Sequence, residues 1–320
     1  MSEKITILDS KMASIQDLGR YSLDNYGFSI NGALDQFSYQ MGNALLGNNK
    51  DIPAIEVTAF NFSFETNADI SICVTGANAQ IEVDNELKNQ WETILLKKKQ
   101  KLKISKIKFG MRVYICFAAT LDVPYFFESA SYDSILNVGM KLNKGDVLEF
   151  IKSKQNFKRG HHVLPKKLIP KYNTHWSLDV CHGPDKSIFK KHFKFFEESK
   201  FKVSLNSDNT GIRLEKTKLI NFTPKHVLSR GIVPGAIEVT PSGQAIILHR
   251  GRGGTIGYPI IGCITSVDLN KAAQMRPNDI VCFNFTTTDI AINKYRKEKE
   301  QIEKVFQESK KINNFKEEVK

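Results

Sequence analysis

Short apolar runs separated by turn signals constrain this chain more than any other feature. Lys4–Leu8, Ala54–Thr58, Ile70–Thr75, Gln80–Val83, Val113–Phe117, Val147–Ile151, Ile246–His249 and Ile280–Phe285 are rich in Val, Ile and Phe. Runs that short and that frequent predict many short strands closing into barrels or sandwiches rather than βαβ units. At 320 residues and 41% hydrophobic content the chain has enough apolar material for two cores. The predicted fold class is therefore mainly β with few helices, in two β-rich units.

Helices are expected at three places. Gln36–Leu46 places Met41, Leu45 and Leu46 on one side, is closed by Gly47-Asn48-Asn49, and has Asp35 as its N-cap. Asp185–Ser199 reads as amphipathic, with Ile188, Phe189, Phe193 and Phe196 inward. From Asp289 to Lys320 the composition becomes charged and free of Gly and Pro, which predicts a terminal helix. Ser153–Asn173, with Pro165, Pro170 and little periodicity, reads as a linker. These signals divide the chain into an N-terminal β-rich domain (1–152), a linker (153–173), a C-terminal β domain (174–287) and a charged helical tail (288–320). Pro53–Thr58 is echoed by Gly235–Thr240, and Lys144–Phe150 by Pro277–Phe283, but the two offsets disagree, so no tandem repeat follows.

The net charge of +12 permits anionic ligands. Much of the excess is lysine spread through residues 97–108, and arginine forks suited to base edges are few, so no nucleic-acid partner is expected. Five isolated cysteines form no CxxC pair and suggest neither a disulfide framework nor a zinc knuckle. His161, His162, His175, Cys181 and His182 are spaced irregularly, and no metal site is expected. The start of the chain has no basic-then-apolar leader and no run is long enough to span a membrane, so a cytoplasmic protein without a membrane partner is expected.

Three segments carry candidate chemistry. Gln16-Asp17-Leu18-Gly19-Arg20 and Asn31-Gly32-Ala33-Leu34-Asp35 bring an arginine and acids around glycine turns before a helix start, where a carboxylate or phosphate can bind. The plain alternative is that Asp35 only caps its helix while Asp17 and Arg20 pair across a turn. His249–Pro259 holds Arg250, Arg252, Gly254, Thr255, Gly257 and Tyr258, a glycine-rich loop whose N–H groups and arginines suit an anion, or else a flexible hairpin crossing. No lysine follows the glycines, so this is no P-loop. Glu56 and Glu238 interrupt apolar strands and either face solvent or are buried with a partner, and a buried one near Arg250 or Arg252 would be a catalytic candidate. No Gly-x-Ser-x-Gly elbow or activated cysteine is present, which argues against a self-contained nucleophilic hydrolase.

Those segments, in order, resemble the biotin-dependent carboxyltransferase family, which includes the C-type component of 5-oxoprolinase, the second component of allophanate hydrolase and the antagonist partner of a sporulation-kinase inhibitor. The resemblance runs through Ser14–Arg20, Asn31–Asp35, Asn43–Asn48, Ala54–Thr58, Val74–Ala77, Gly183-Pro184, Ser207-Asp208, Gly211–Leu214, Gly231–Glu238, Gly257–Pro259 and Leu269–Phe283. It implies a cyclophilin-like β-barrel in the C-terminal part. It further implies a C-type component of an ATP-dependent complex that opens 5-oxoproline to glutamate, with ATP and Mg bound in the complex and no biotin attached to this chain. The implied partners are a B-type protein, an A-type protein and a small-molecule substrate. In that scheme Asp35, Glu238 and Arg252 are the catalytic residues. Arg20, Asp208, Arg213, Arg250, Gly254, Thr255, Gly257 and Tyr258 would hold substrate or phosphate. Two other functions stay open: a non-catalytic regulatory module binding a kinase-inhibitor-like B-type partner, and a carboxyltransferase component using carboxybiotin. The chain departs from the family pattern in two loops. Gly251 and Gly253 stand where an acid and an amide are usual, and Asn209 where an arginine is usual.

Overall fold

The computed structural model describes residues 2–21, 23, 26–151, 160–215 and 227–318. Contacts divide the chain into two compact units, the first formed by Met1–Gly19, Asp35–Tyr172 and Lys299–Lys320, the second by Arg20–Leu34 and Asn173–Glu298. The changeover falls between Tyr172 and Asn173. A contiguous division fails to anticipate two segments, since 20–34 joins the second unit and 299–320 the first. Composition does not reveal such membership, because contacts set it.

The first unit contains β1 (Lys4–Ser10), β2 (Ala13–Gln16), α1 (Gln36–Leu45), β3 (Ala54–Thr58), β4 (Phe62–Thr66), β5 (Ile70–Val83), β6 (Glu86–Lys88), β7 (Thr93–Leu96), β8 (Lys101–Phe117), β9 (Lys141–Leu142) and β10 (Val147–Glu149). Among the described residues these form a ten-stranded sheet in the order β10-β1-β4-β8-β3-β2-β9, with β5 pairing β8, β6 and β7. The alternation in Phe-Ser-Phe-Glu-Thr sends Phe62 and Phe64 inward. Phe64, Phe117 and Phe150 then pack in tilted pairs with centroid separations of 5.7 and 5.5 Å. Each such ring, fully buried, contributes about 1.5–3 kcal/mol from area alone.

Strands β5 and β8 are longer than the apolar runs that announce them. Ile70–Thr75 and Gln80–Val83 belong to one strand, because register shifts between Gly76 and Gln80 carry the pairing past the polar Asn78. Gly76 sits there at φ +90°, and a Cβ on it would lie 2.3 Å from the carbonyl oxygen of Arg112, so only glycine fits. Part of the expected linker is in fact an added rung of this unit. Thr93 N donates to His162 O at 2.9 Å, Leu164 N to Trp91 O at 2.9 Å, and Leu164 is buried. Residues 153–159 of that linker lie outside the described residues.

Helix α1 is buried along its whole length. Asp35 caps it as expected: Oδ1 accepts Ser38 N at 3.0 Å and Oδ2 accepts Ser38 Oγ at 2.6 Å. Asp35→Ala is expected to cost about 1–2 kcal/mol of stability, while Asp35→Asn retains most of it, as thermal unfolding of the two variants would show. An unchanged melting temperature in the alanine variant would mean that the cap contributes nothing to folding.

The second unit contains β11 (His175–His182), α2 (Phe193–Glu198), β12 (Phe201–Val203), β13 (Gly211–Glu215), β14 (Arg230–Gly231), β15 (Ala236–Val239), β16 (Ala245–Leu248), β17 (Thr255–Ile256), β18 (Ile260–Ile264), α3 (Ser266–Ala272) and β19 (Ile280–Thr286). Seven of these strands close a barrel, β11-β18-β15-β16-β13-β12-β19, and β14 with β17 makes a separate two-stranded ribbon. In β11 the alternation buries Trp176, Leu178 and Val180, and Trp176 Nε1 donates to Asp279 Oδ2 at 2.7 Å. The helix expected over Asp185–Ser199 is shorter than its periodicity suggests. Residues 185–192 form turns and only Phe193–Glu198 is helical, with Phe189 and Phe196 fully buried but Ile188 and Phe193 only partly so.

The terminal helix, α4 (Thr288–Glu318), contributes residues to both units. Ile302, Val305, Phe306 and Ser309 form its buried stripe at helical spacing. No helix among the described residues is long and apolar enough to cross a membrane.

Candidate functional site

Three loops, the first of which the sequence separates from the last by more than two hundred residues, meet within the second unit. The turn at Asn31 (φ +50°) and Gly32 (φ +85°) donates Asn31 N to Arg250 O at 3.0 Å. Arg250 Nη1 reaches Tyr21 Oη at 3.1 Å, and Gly254 packs on Gly27, where an added Cβ would lie 3.2 Å from the Gly27 Cα. The loop of Asp208 closes on itself, its Oδ1 accepting Thr210 N at 2.8 Å and Gly211 N at 2.9 Å. Its Asn209 and Thr210 carbonyls then accept Gly251 N at 3.2 Å and His249 N at 2.9 Å.

His249 organises this junction and carries no signal beyond its place beside Arg250. It is 1% exposed. Nδ1 accepts Arg250 N at 2.9 Å, so Nε2 carries the proton and donates to Leu269 O on α3 at 3.2 Å. Nothing in the pattern of residues singles out Asp185 or Arg230 either. Asp185 Oδ1 accepts Arg230 Nη1 at 3.2 Å, its Oδ2 accepts Arg230 Nη2, and Oδ2 also takes Ile260 N at 2.8 Å, tying the β14–β17 ribbon to the barrel.

The arginines divide by exposure. Arg252 is 4% exposed and gives Nε and Nη2 to Ile232 O at 3.0 and 2.6 Å, which locks the glycine loop. Arg20 is 1% exposed and joins its own segment through Arg20 N to Ile30 O at 2.7 Å. Arg213 and Arg250 are only partly buried and can meet a ligand from solvent. Thr255, Gly257 and Tyr258 are exposed on or beside the ribbon, and Gly254 O accepts Ile232 N at 3.2 Å.

Glu238 is the chemically distinctive group. On the barrel, Ile246 of β16 pairs with Arg213 of β13 on one side and Glu238 of β15 on the other, so the three side chains share a face. That face is apolar, with Ile232, Ala236, Leu248 and Ile260 clustered around Ile246. Glu238 is 6% exposed and its Oε2 has no hydrogen-bond partner. Burial pushes its carboxyl up to about 7, against the opposing pull of Arg213. A carboxyl that titrates near neutrality beside a cation is suited to move a proton.

The other strand glutamate is a different case. Glu56 is buried in the first unit, where Oε2 accepts Tyr114 Oη at 2.7 Å and Oε1 lies 3.6 Å from Arg112 Nε. Asp35 also belongs to the first unit, and its N–H donates to the same Tyr114 hydroxyl at 2.9 Å. Asp17 is wholly committed: its carboxylate accepts Gly19 N, Ser129 Oγ, Ser131 Oγ and Ala130 N. The histidines and Cys181 named in the sequence do not assemble a site, and no group of three or more His, Cys, Asp or Glu able to hold a metal occurs among the described residues.

A sheet-bearing unit and a closed barrel, with an arginine–glycine loop against the barrel's own Asn31 turn, define the class. Residues 26–285 match the family described as carboxyltransferase domain, subdomain A and B, and the chain belongs to it. It is 30% identical over 317 residues to the C-type component of 5-oxoprolinase from Haemophilus influenzae, covering 95% of this chain and 99% of the relative. It is 31% identical over 270 residues to the corresponding 5-oxoprolinase component of Escherichia coli, covering 82% and 84%. The crystal structure of the K. lactis urea amidolyase superposes with a TM-score of 0.87 at 24% identity, covering 94% of this chain. The chain spans only 20% of that polypeptide's length.

Proposed function

We propose that this chain is the C-type component of an ATP-dependent, 5-oxoprolinase-like complex that opens a cyclic amide with a B-type partner. The observation that carries this reading is end-to-end likeness. The 5-oxoprolinase component of H. influenzae is matched over 99% of its length, whereas urea amidolyase of Saccharomyces cerevisiae is matched over 16%. The site chemistry is compatible. Attack of the lactam oxygen on the γ-phosphorus of ATP would release ADP and leave an activated carbon. Water would then add to that carbon, and the ring C–N bond would break to free the amine and leave an acyl phosphate. A second water would hydrolyse the acyl phosphate to the carboxylate and free phosphate. Glu238 would handle the water proton, and Arg213 with Arg250 would hold the substrate carboxylate or phosphate. Magnesium would arrive with the nucleotide.

A regulatory module with the same partner is the second reading, favoured by Arg252 being turned into its own loop. Carboxyl transfer, suggested by the urea amidolyase relatives, would need biotin from another chain. Co-expression with the B-type chain, co-purification, and ATP turnover with and without 5-oxoproline and the A-type chain separate these. Turnover that requires 5-oxoproline supports the first reading, and a stable complex without turnover supports the second.

A further inference from the structure

We infer that the β-turn Phe126–Ser129, a strained and braced aromatic tip, is an anchor that inserts Tyr125 and Phe127 into an apolar, basic-rimmed pocket of the B-type partner. Phe126 and Ser129 exchange backbone hydrogen bonds at 2.9 and 3.3 Å around a two-residue turn. Both central residues have positive φ, Phe127 at +46° and Glu128 at +60°. That is the type I′ pattern, which asparagine and glycine adopt readily and a phenylalanine does not. A bulky residue held in the left-handed region persists only where the surroundings over-determine it.

The brace is visible. The buried carboxylate of Asp17 gathers Ser129 Oγ, Ala130 N and Ser131 Oγ immediately behind the tip. What is held so firmly is apolar and faces solvent: Tyr125 is 52% exposed and Phe127 51%, with the Phe126 and Phe127 rings edge-on at 4.6 Å. Pre-organised aromatic side chains are the residues that dominate protein interfaces, because little rotamer freedom is lost on docking.

The setting points to the kind of partner. Glu128 is exposed at the tip, and Asp17 and Asp51 both act electrostatically on the Tyr125 hydroxyl, so a locally acidic feature stands on a chain of net charge +12. Membrane surfaces attract basic rather than acidic aromatic tips, and two copies of so basic a chain repel one another. A partner protein fits, as the proposed place in a multi-component complex requires, and this inference rests on that reading.

The test uses the full chain and the B-type chain, with Kd measured by calorimetry. Phe127→Asn with Glu128→Gly installs the preferred turn, so the melting temperature should rise by a few degrees while Kd weakens tenfold or more. Tyr125→Ala should weaken Kd without altering stability, and Leu87→Ala, equally apolar and exposed on β6, should leave Kd unchanged. A stabilised double variant that binds the B-type chain as tightly as wild type overturns the proposal, and so does a wild-type self-association that the variant loses. Failure of the wild type to bind the B-type chain overturns the proposed place in the complex and, with it, this inference.

Discussion

Glu56→Ala is expected to lower stability by about 3–5 kcal/mol, the range found when one partner of a buried ion pair is removed. Glu56 and Arg112 are 2% and 5% exposed, and their strands β3 and β8 are registered so that Glu56 opposes Tyr114 and Thr58 opposes Arg112. Removing the carboxylate deprives a buried guanidinium of its counter-charge. It also deprives Tyr114 of its acceptor, and Tyr114 in turn accepts from Asp35 N at the start of α1. The damage therefore reaches the helix cap. The double change Glu56→Gln with Arg112→Met removes both charges at nearly constant volume and should recover most of the loss. Urea unfolding of the single and double variants measures this. A single variant that loses less than about 1 kcal/mol would mean that the carboxylate holds no internal charge.

The contrast between the two strand glutamates shows how far the sequence can be read. Both interrupt an apolar strand within nearly the same six-residue pattern, and alternation alone leaves open whether each faces water. Both are buried, with different consequences. Glu56 has a hydroxyl and a guanidinium within reach, while Glu238 is left with a free oxygen among isoleucines. No local pattern separates them, because the partners come from β8 in one unit and β13 in the other. Arg250 and Arg252 are the cations that the sequence offers a buried glutamate, yet the one that acts on Glu238 is Arg213, one strand beyond β16.

The same reason explains what is legible in the fold. Strand positions follow from local alternation, and the α1 cap from Asp35 and the residues after it. The full lengths of β5 and β8 do not, since bulges let polar residues stay in register. Nor does the pairing of 160–164 with 91–93, which rests on backbone bonds that any side chains permit. In the glycine loop the sequence marks the glycines and arginines, and the loop's contact with the Asn31 turn appears only in the fold. Arg252 gives its Nε and Nη2 to Ile232 O, while His249, the first residue of that segment and assigned no role by the sequence, fixes the loop to α3.

Glu238→Gln is expected to reduce turnover of the assembled complex by about a hundredfold or more, the scale of a lost acid–base group. The same change should make the chain more stable above neutral pH. The sign follows from burial: the carboxyl titrates at about 7 when folded, against an ordinary value of 4.5. The folded state therefore binds the extra proton between those limits, and stability falls as pH rises from 4.5 to 7. Above pH 7 the ionised carboxylate costs on the order of 2 kcal/mol once solvent screening is allowed for, and glutamine carries no such cost. Wild type and variant should thus have similar melting temperatures near pH 4.5 and diverge by a few degrees at pH 8, with the variant higher. Activity and stability moving in opposite directions is the signature of a group kept for chemistry rather than for folding. A variant that keeps full turnover would return Glu238 to the barrel wall, and one that is less stable at pH 8 would show that its Oε2 has a partner after all.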